Sequence, residues 1–174
     1  PISQDGPALL PGPSFIPSKE TTMNLIILSD THGLLRPAVL ELLKSADAIL
    51  HAGDINSQAV VDTLASFAPL YVVRGNNDKD WAAGLPHDLT VTLEGVRFYM
   101  VHNKKDVPAD LAGADVVVFG HSHKYSEERR GDLLWLNPGS CGPRRFHQEI
   151  TMMTAEAEDG KIRVEKVIIP HGTA

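Results

Sequence analysis

The sequence predicts an α/β fold of two sheets with helices outside them. Three observations predict it. Short, wholly apolar runs alternate with amphipathic segments up to residue 73. Strand patterns joined by turn dipeptides fill the remainder. Apolar runs end in Gly next to Asp, Asn or His, and in an open α/β sheet ligands bind at the carboxyl ends of strands.

The elements follow in order. Leu25–Leu28 (LIIL) suits a buried parallel strand and leads into Ser-Asp-Thr-His-Gly at 29–33. Pro37 opens a helix over 37–45 with Val39, Leu42 and Leu43 on one face. Ala48–Leu50 is the next strand and precedes His-Ala-Gly-Asp at 51–54. Ser57 caps a helix to about Phe67, with Val60, Val61 and Leu64 inward. Leu70–Val73 is a third strand, ending in Arg-Gly-Asn-Asn-Asp at 74–78. This β-α-β-α-β order implies right-handed crossovers and parallel strands. Residues 89–93 and 96–101 flank the hairpin signal Glu94-Gly95. Asp115–Phe119 (DVVVF) is a buried strand before Gly-His-Ser-His. Residues 133–136, 148–155 and 162–169 read as antiparallel strands, with Asp159-Gly160 as a tight turn. Glu127–Arg130 (EERR) reads as a solvated hairpin.

Residues 1–22 have neither strand nor helix period and carry Pro1, Pro7, Pro11, Pro13 and Pro17. They read as an extension ahead of a single domain, 23–174. No basic residue precedes Lys19, so the stretch lacks the charged start of a signal peptide.

Composition narrows the function classes. The 174 residues carry net charge −6. An acidic chain lacks the positive field that draws nucleic-acid binders to phosphate. Aromatics are 6% of residues, too few for a base-stacking platform. No apolar run is long enough to span a membrane. Cys141 is the single cysteine, which excludes an intrachain disulfide and a cysteine-cluster metal site; it reads as a buried hydrophobe and suits a reducing, cytoplasmic setting.

Eight histidines are many for this length. Along the chain the strand ends supply Asp30 and His32, then Asp54, Asn76, His102, and finally His121 and His123. All are metal-type donors. Asp30/His32 and His121/His123 are spaced i, i+2, which in extended chain turns both side chains to one side. Gly33, Gly53, Gly75 and Gly120 abut these donors and permit sharp turns and close backbone approach.

The ordered segments SDTHG (29–33), GD (53–54), GNND (75–78), His102 and GHSH (120–123) resemble the calcineurin-like metallophosphoesterases. LNPGS (136–140) with Pro143-Arg144 is similar to the small, single-domain MJ0936/YfcE-like phosphodiesterase branch. The resemblance covers about 23–169. It implies a four-layer α-β-β-α sandwich, two mixed sheets flanked by helices, with two adjacent divalent ions. By analogy Asp30, His32, Asp54 and His123 hold the first ion; Asp54 bridges; Asn76, His102 and His121 hold the second. The implied reaction is hydrolysis of a small phosphate ester, a diester before a monoester, by in-line attack of a metal-bridging hydroxide. Two divalent ions against two carboxylates and one hydroxide leave the site positive, so phosphate is attracted locally in an acidic protein. Mixed imidazole and carboxylate ligation suits Mn²⁺, Zn²⁺, Fe, Co²⁺ or Ni²⁺, with Mn²⁺ expected to support activity by analogy.

Two segments depart from the family pattern. Asn77 stands where many members carry a His that acts as acid for the leaving group. Asn cannot donate that proton at neutral pH, so Asn77 is expected to hydrogen-bond a phosphoryl oxygen, or to serve only as a turn residue. His147 is a speculative substitute acid. The segment His102-Asn103-Lys104 keeps the ligand but not the usual His-Gly-His, and Lys104 or Lys105 suits either a charge near substrate or a solvated loop. Arg74 and Arg144 are fork-shaped anion binders, suited to a phosphate contact or to a surface ion pair. Asp78 reads as a carboxylate orienting a neighbour, and His51 as a structural histidine. Besides a phosphoesterase, two readings compete: a non-catalytic scaffold or binding module on the same fold, and a nuclease. The sequence leaves homo-oligomerisation open.

Overall fold

The computed structural model describes residues 22–111, 113–145 and 147–170. The expected extension 1–22 therefore lies outside the described residues except for Thr22, as does His171.

Ten strands form two five-stranded sheets. The first takes β1 (Met23–Leu28), β2 (Ala48–His51), β3 (Leu70–Val72), β9 (Ile150–Glu158) and β10 (Lys161–Ile169), in the order β10-β9-β1-β2-β3. The second takes β4 (Asp88–Leu93), β5 (Val96–Val101), β6 (Val116–Val118), β7 (Ser126–Arg130) and β8 (Leu133–Asn137), in the order β4-β5-β6-β8-β7. β1 pairs parallel with β2, and β2 with β3, while β1–β9 and β9–β10 are antiparallel. In the second sheet β5–β6 and β6–β8 are parallel and the outer pairs antiparallel. Both sheets are mixed, as expected. The charged run Glu127–Arg130 lies in β7, an edge strand with exposed side chains that forms a hairpin with β8.

The twofold alternation of β1 shows how the layers assemble. Leu25 and Ile27 point between the sheets, against Phe98, Met100, Val116, Val118 and Leu136. Ile26 and Leu28 point outward, against α1 (Pro37–Leu43) and α2 (Gln58–Ala65). Each helix presents the predicted face: Val39 and Leu43 from one, Val60 and Leu64 from the other, are buried. Pro37 sits in the first turn of α1, and the Ser57 hydroxyl accepts the Val60 N–H at 3.2 Å.

The outer face of the second sheet is covered more thinly. Tyr99, Val101, Val117 and Phe119 pack with Val107, Leu111 and the neighbouring Trp135 of β8. Among the described residues this layer is a 3-10 turn, Lys104–Asp106, and loop, with no α-helix. The cause is local: Val107 precedes Pro108 and is extended (φ −70°, ψ 124°), since proline disfavours helical backbone in the preceding residue. Lys104 Nζ lies 5.5 Å from the Phe119 ring centre and Arg130 4.7 Å from that of Trp135, so cationic stems supply cover that a helix would otherwise give.

Candidate metal centre

The donors gather where the parallel strands end. Beyond β1 and β2 the two chains stay in register: Asp30 N–H donates to Gly53 O at 2.9 Å, His32 N–H to Asp54 O at 3.0 Å, and Gly33 N–H to Ile55 O at 2.8 Å. This ladder fixes Asp30 and His32 beside Asp54.

The i, i+2 pairs reach one side by a different route from the one expected. They are not extended. Asp30, His32, His121 and His123 all have left-handed backbone, with φ of 55°, 45°, 74° and 64°, and so does Asp54 at 61°. Short polar side chains and His tolerate that region better than other non-glycine residues. The left-handed turns fold each pair inward. Close approaches here require glycine, as two positions illustrate. A Cβ on Gly75 would overlap the Asp54 carboxylate and backbone nitrogen. A Cβ on Gly120 would strike the Ser29 hydroxyl and come within 2.7 Å of Asp30 Oδ2.

Two groups of donors result: Asp30, His32 and His123, and Asp30, Asp54 and His102, with the donor atoms of each group within 4.8 Å of one another. His123 Nε2 is 3.3 Å from Asp30 Oδ1, and His102 Nε2 is 3.3 Å from Asp54 Oδ2. His32 Nε2 lies 3.7 Å from Asp30 Oδ1 and 3.8 Å from Asp54 Oδ2. Asn76 Oδ1 and His121 Nδ1 are 3.2 Å apart at the exposed rim. Thus all seven predicted donors lie around one small volume.

The site is tuned for charge. Burial alone would raise the Asp30 carboxyl, but the nearby His123 and His32 rings, the charge of His102 and the Ser29 hydroxyl hold it far below the usual carboxylate range. For Asp54, burial is likewise outweighed by His102 and the Asn77 N–H, which lower it. Burial opposes a charged His102, yet the Asp54 and Asp30 carboxylates raise its affinity for a proton. A divalent ion would replace that proton. The residues fit such an ion on two grounds. Asp30 Oδ1 and His102 Nε2 are buried without a hydrogen-bond partner, a costly state that an ion would relieve. Moreover, His102 Nδ1 contacts Ala52 O at 2.7 Å; donation there leaves the Nε2 lone pair aimed at the carboxylates.

Supporting residues lock the loops. Asp78 accepts four backbone N–H groups, from Asp54, Ile55, Asn56 and Gly75, at 2.8–2.9 Å; it orients the Asp54 loop. His51 is fully buried between the Thr31 hydroxyl at 3.0 Å and the Gly53 N–H at 3.0 Å, a structural role. Three residues had no assigned role in the sequence reading. Asn137 donates to Gly120 O and Ser122 Oγ, and so pins the His121–His123 loop. Ser140 Oγ donates to Asp30 O at 2.9 Å. Arg36, nearly buried, donates to Gly142 O. Asn137 and Ser140 belong to the LNPGS segment, so the motif was visible while its function, bracing two ligand loops, was not.

The remaining predicted residues are placed as follows. Asn77 uses its backbone N–H for Asp54 Oδ1 at 2.9 Å and its side-chain amide for Asp54 Oδ2 at 3.0 Å. Arg144 is exposed and donates to Gln148 O at 3.3 Å. His147 lies in an exposed turn. Lys104 stands over the rings on the outer face of the second sheet, where Phe119 and Trp135 draw its stem; that position lies with the loop alternative rather than with a charge near substrate.

A calcineurin-like phosphoesterase superfamily domain matches residues 23–160, and the chain belongs to that family. It is 33% identical over 146 residues to the phosphodiesterase YfcE of Escherichia coli (strain K12), covering 68% of this chain and 79% of YfcE. The solved structure of an archaeal phosphodiesterase superposes with a TM-score of 0.71 at 24% identity, covering 84% of this chain and all (100%) of that one. Vacuolar Protein Sorting 29 from Cryptosporidium parvum shares the fold with a TM-score of 0.69 at 20% identity, over 86% of this chain and 98% of that one. No helix among the described residues is long and apolar enough to cross a membrane.

Proposed function

We propose that this chain hydrolyses small phosphodiesters with two divalent ions. The observation that carries the reading is the pair of donor groups sharing Asp30, with two buried donor atoms left unpartnered at their centre. In this reading Asp30, His32, Asp54 and His123 hold one ion, Asn76, His102 and His121 join Asp54 at the other, and Mn²⁺ supports turnover. When bound, the pair supplies positive charge for the phosphoryl oxygens and acidifies water at the site.

The chain's own groups do the rest. Asp54 is held between the His102 ring and Asn77, so it cannot rotate away from either donor group. Asn77 presents its amide N–H beside Asp54, where a phosphoryl oxygen would accept it. It holds no transferable proton, so esters with good leaving groups are favoured. Arg144 is assigned a second contact to the phosphoryl group. A diester suits the surroundings. One cleft of about 370 Å³ borders Asn76 and His102, and another of about 210 Å³ borders His123. Each substituent of a diester would thus find its own groove next to a different donor group.

The test is hydrolysis of bis-p-nitrophenyl phosphate with added Mn²⁺. Asp54→Asn and His123→Ala should each abolish it. Full activity in metal-stripped protein would overturn the reading.

A further inference from the structure

The larger cleft carries information about the substrate. Its wall is made by Arg74, Lys79, His87, Asp80 and Asp106 beside Asn76 and His102. No Phe, Tyr or Trp lines it, and Ala83 is its one apolar side chain. Such a groove suits a small hydrophilic group better than a large apolar or aryl one.

Most of its charged groups are already engaged. Lys79 Nζ donates to Asn76 O at 3.1 Å. His87 Nε2 lies 3.5 Å from Asp106. Asp78 spends both oxygens on backbone N–H groups. Arg74 differs. Its backbone N–H is fixed to Pro86 O at 2.8 Å, while its guanidinium has no hydrogen-bond or ion-pair partner among the described residues. Asp80 is the one acidic side chain on that wall with no hydrogen-bond or ion-pair partner among the described residues, and with Asp78 and Asp106 against Arg74 and Lys79 the wall carries a formal charge of −1, His87 taken as neutral. With no positive field over the wall, an anion would be held there by direct contact with the planar Arg74 fork, which matches carboxylate and phosphate oxygens two at a time.

We propose that Arg74 is a specificity residue that binds an oxyanion carried by one alcohol portion of the substrate. The substrate class is then a small diester with a second anionic group rather than a diester of two neutral or aromatic alcohols. This rests on the phosphodiesterase reading above.

The test compares propyl p-nitrophenyl phosphate with its 3-carboxypropyl counterpart, using the Mn²⁺-loaded chain. Both release the same leaving group, so they differ only in the carboxylate. The chain should prefer the carboxylate ester by about tenfold in kcat/KM, expressed in KM. Arg74→Gln should bring that ratio to about one, and Arg74→Lys should keep a reduced preference. A ratio of one in the unmodified chain, or an unchanged ratio in Arg74→Gln, would overturn the proposal. Calorimetric binding of propylphosphonate and 3-phosphonopropionate reads the same preference without turnover. Lack of turnover on both esters therefore counts against the hydrolase reading, while the phosphonate ratio still decides the role of Arg74.

Discussion

The two donor groups are built differently. Around Asp30, His32 and His123 every side chain is sheltered, with side-chain exposures of 0%, 4% and 11%. Beside Asp54 and His102, also sheltered, the proposed set is completed by Asn76 and His121, which are exposed and touch each other at 3.2 Å. The first group is fixed by packing before any ion arrives. The second is half fixed, and its outer half is held only by one hydrogen bond and the loops beneath it. Preorganised donors bind more tightly because less ordering is left to do. The difference teaches that one side of the site is set by packing and the other by its exposed rim.

The largest expected effect removes the distinction altogether. Asp54 contacts both groups, so Asp54→Asn should lower kcat on bis-p-nitrophenyl phosphate by at least about a thousandfold, the several kcal/mol that such charge stabilisation supplies. A loss under tenfold would show that Asp54 does not join them. Next comes Asp78→Ala. It strands three buried N–H groups and one half-buried one under the Asp54 loop, and thermal or urea unfolding should report a loss of roughly 3–5 kcal/mol. Asp78→Asn, keeping one acceptor oxygen, should lose less.

Acidity gives the third. Burial pushes His51 down to about 4 despite the nearby Asp30 and Asp78 carboxylates. The unfolded chain takes up that proton near 6.5, the folded chain near 4, so the unfolded state binds more protons between those values. Stability should fall as pH drops through that window, by roughly 3 kcal/mol in total. The lowered Asp30 carboxyl extends the loss below about pH 4, where the unfolded carboxyl protonates first. Urea unfolding of metal-free protein at several pH values measures it, and His51→Gln should flatten the limb between 6.5 and 4 alone.

The fourth prediction sharpens the comparison itself. Calorimetric titration with Mn²⁺ should resolve two affinities. His121→Ala should weaken only the weaker one, by about tenfold or more, while His123→Ala should weaken the tighter. Equal losses from both variants would mean that the two groups do not act separately. The smallest effect concerns Cys141. It is fully buried, and its thiol is pushed up to about 12, chiefly by burial, so thiol reagents at neutral pH should modify it only after unfolding.

Much of this was legible in the chain. β1 could be read because an unbroken apolar run fits only a strand buried on both faces. The helices could be read from Pro37 and Ser57, whose chemistry is local to a helix start. The seven candidate donors stood out in the chain because each lies within five residues of a strand's end. The second sheet's outer cover was harder. Pro108 disfavours a helix there locally, but only the fold brings Lys104 and Arg130 over Phe119 and Trp135.

By itself, then, the sequence determined the strand and helix faces, the order of the donors and the family they announce. These rest on periodicity and on chemistry carried within a few residues. Only the tertiary structure decided how the donors converge. It showed left-handed turns where extended pairs were expected, Asp78 tying three loop nitrogens and Gly75 into one cradle, and Asn137 and Ser140 bracing loops that lie far away in sequence. Those decisions arise because buried donors and acceptors must find partners wherever the fold brings them, and no local pattern records which partner that will be.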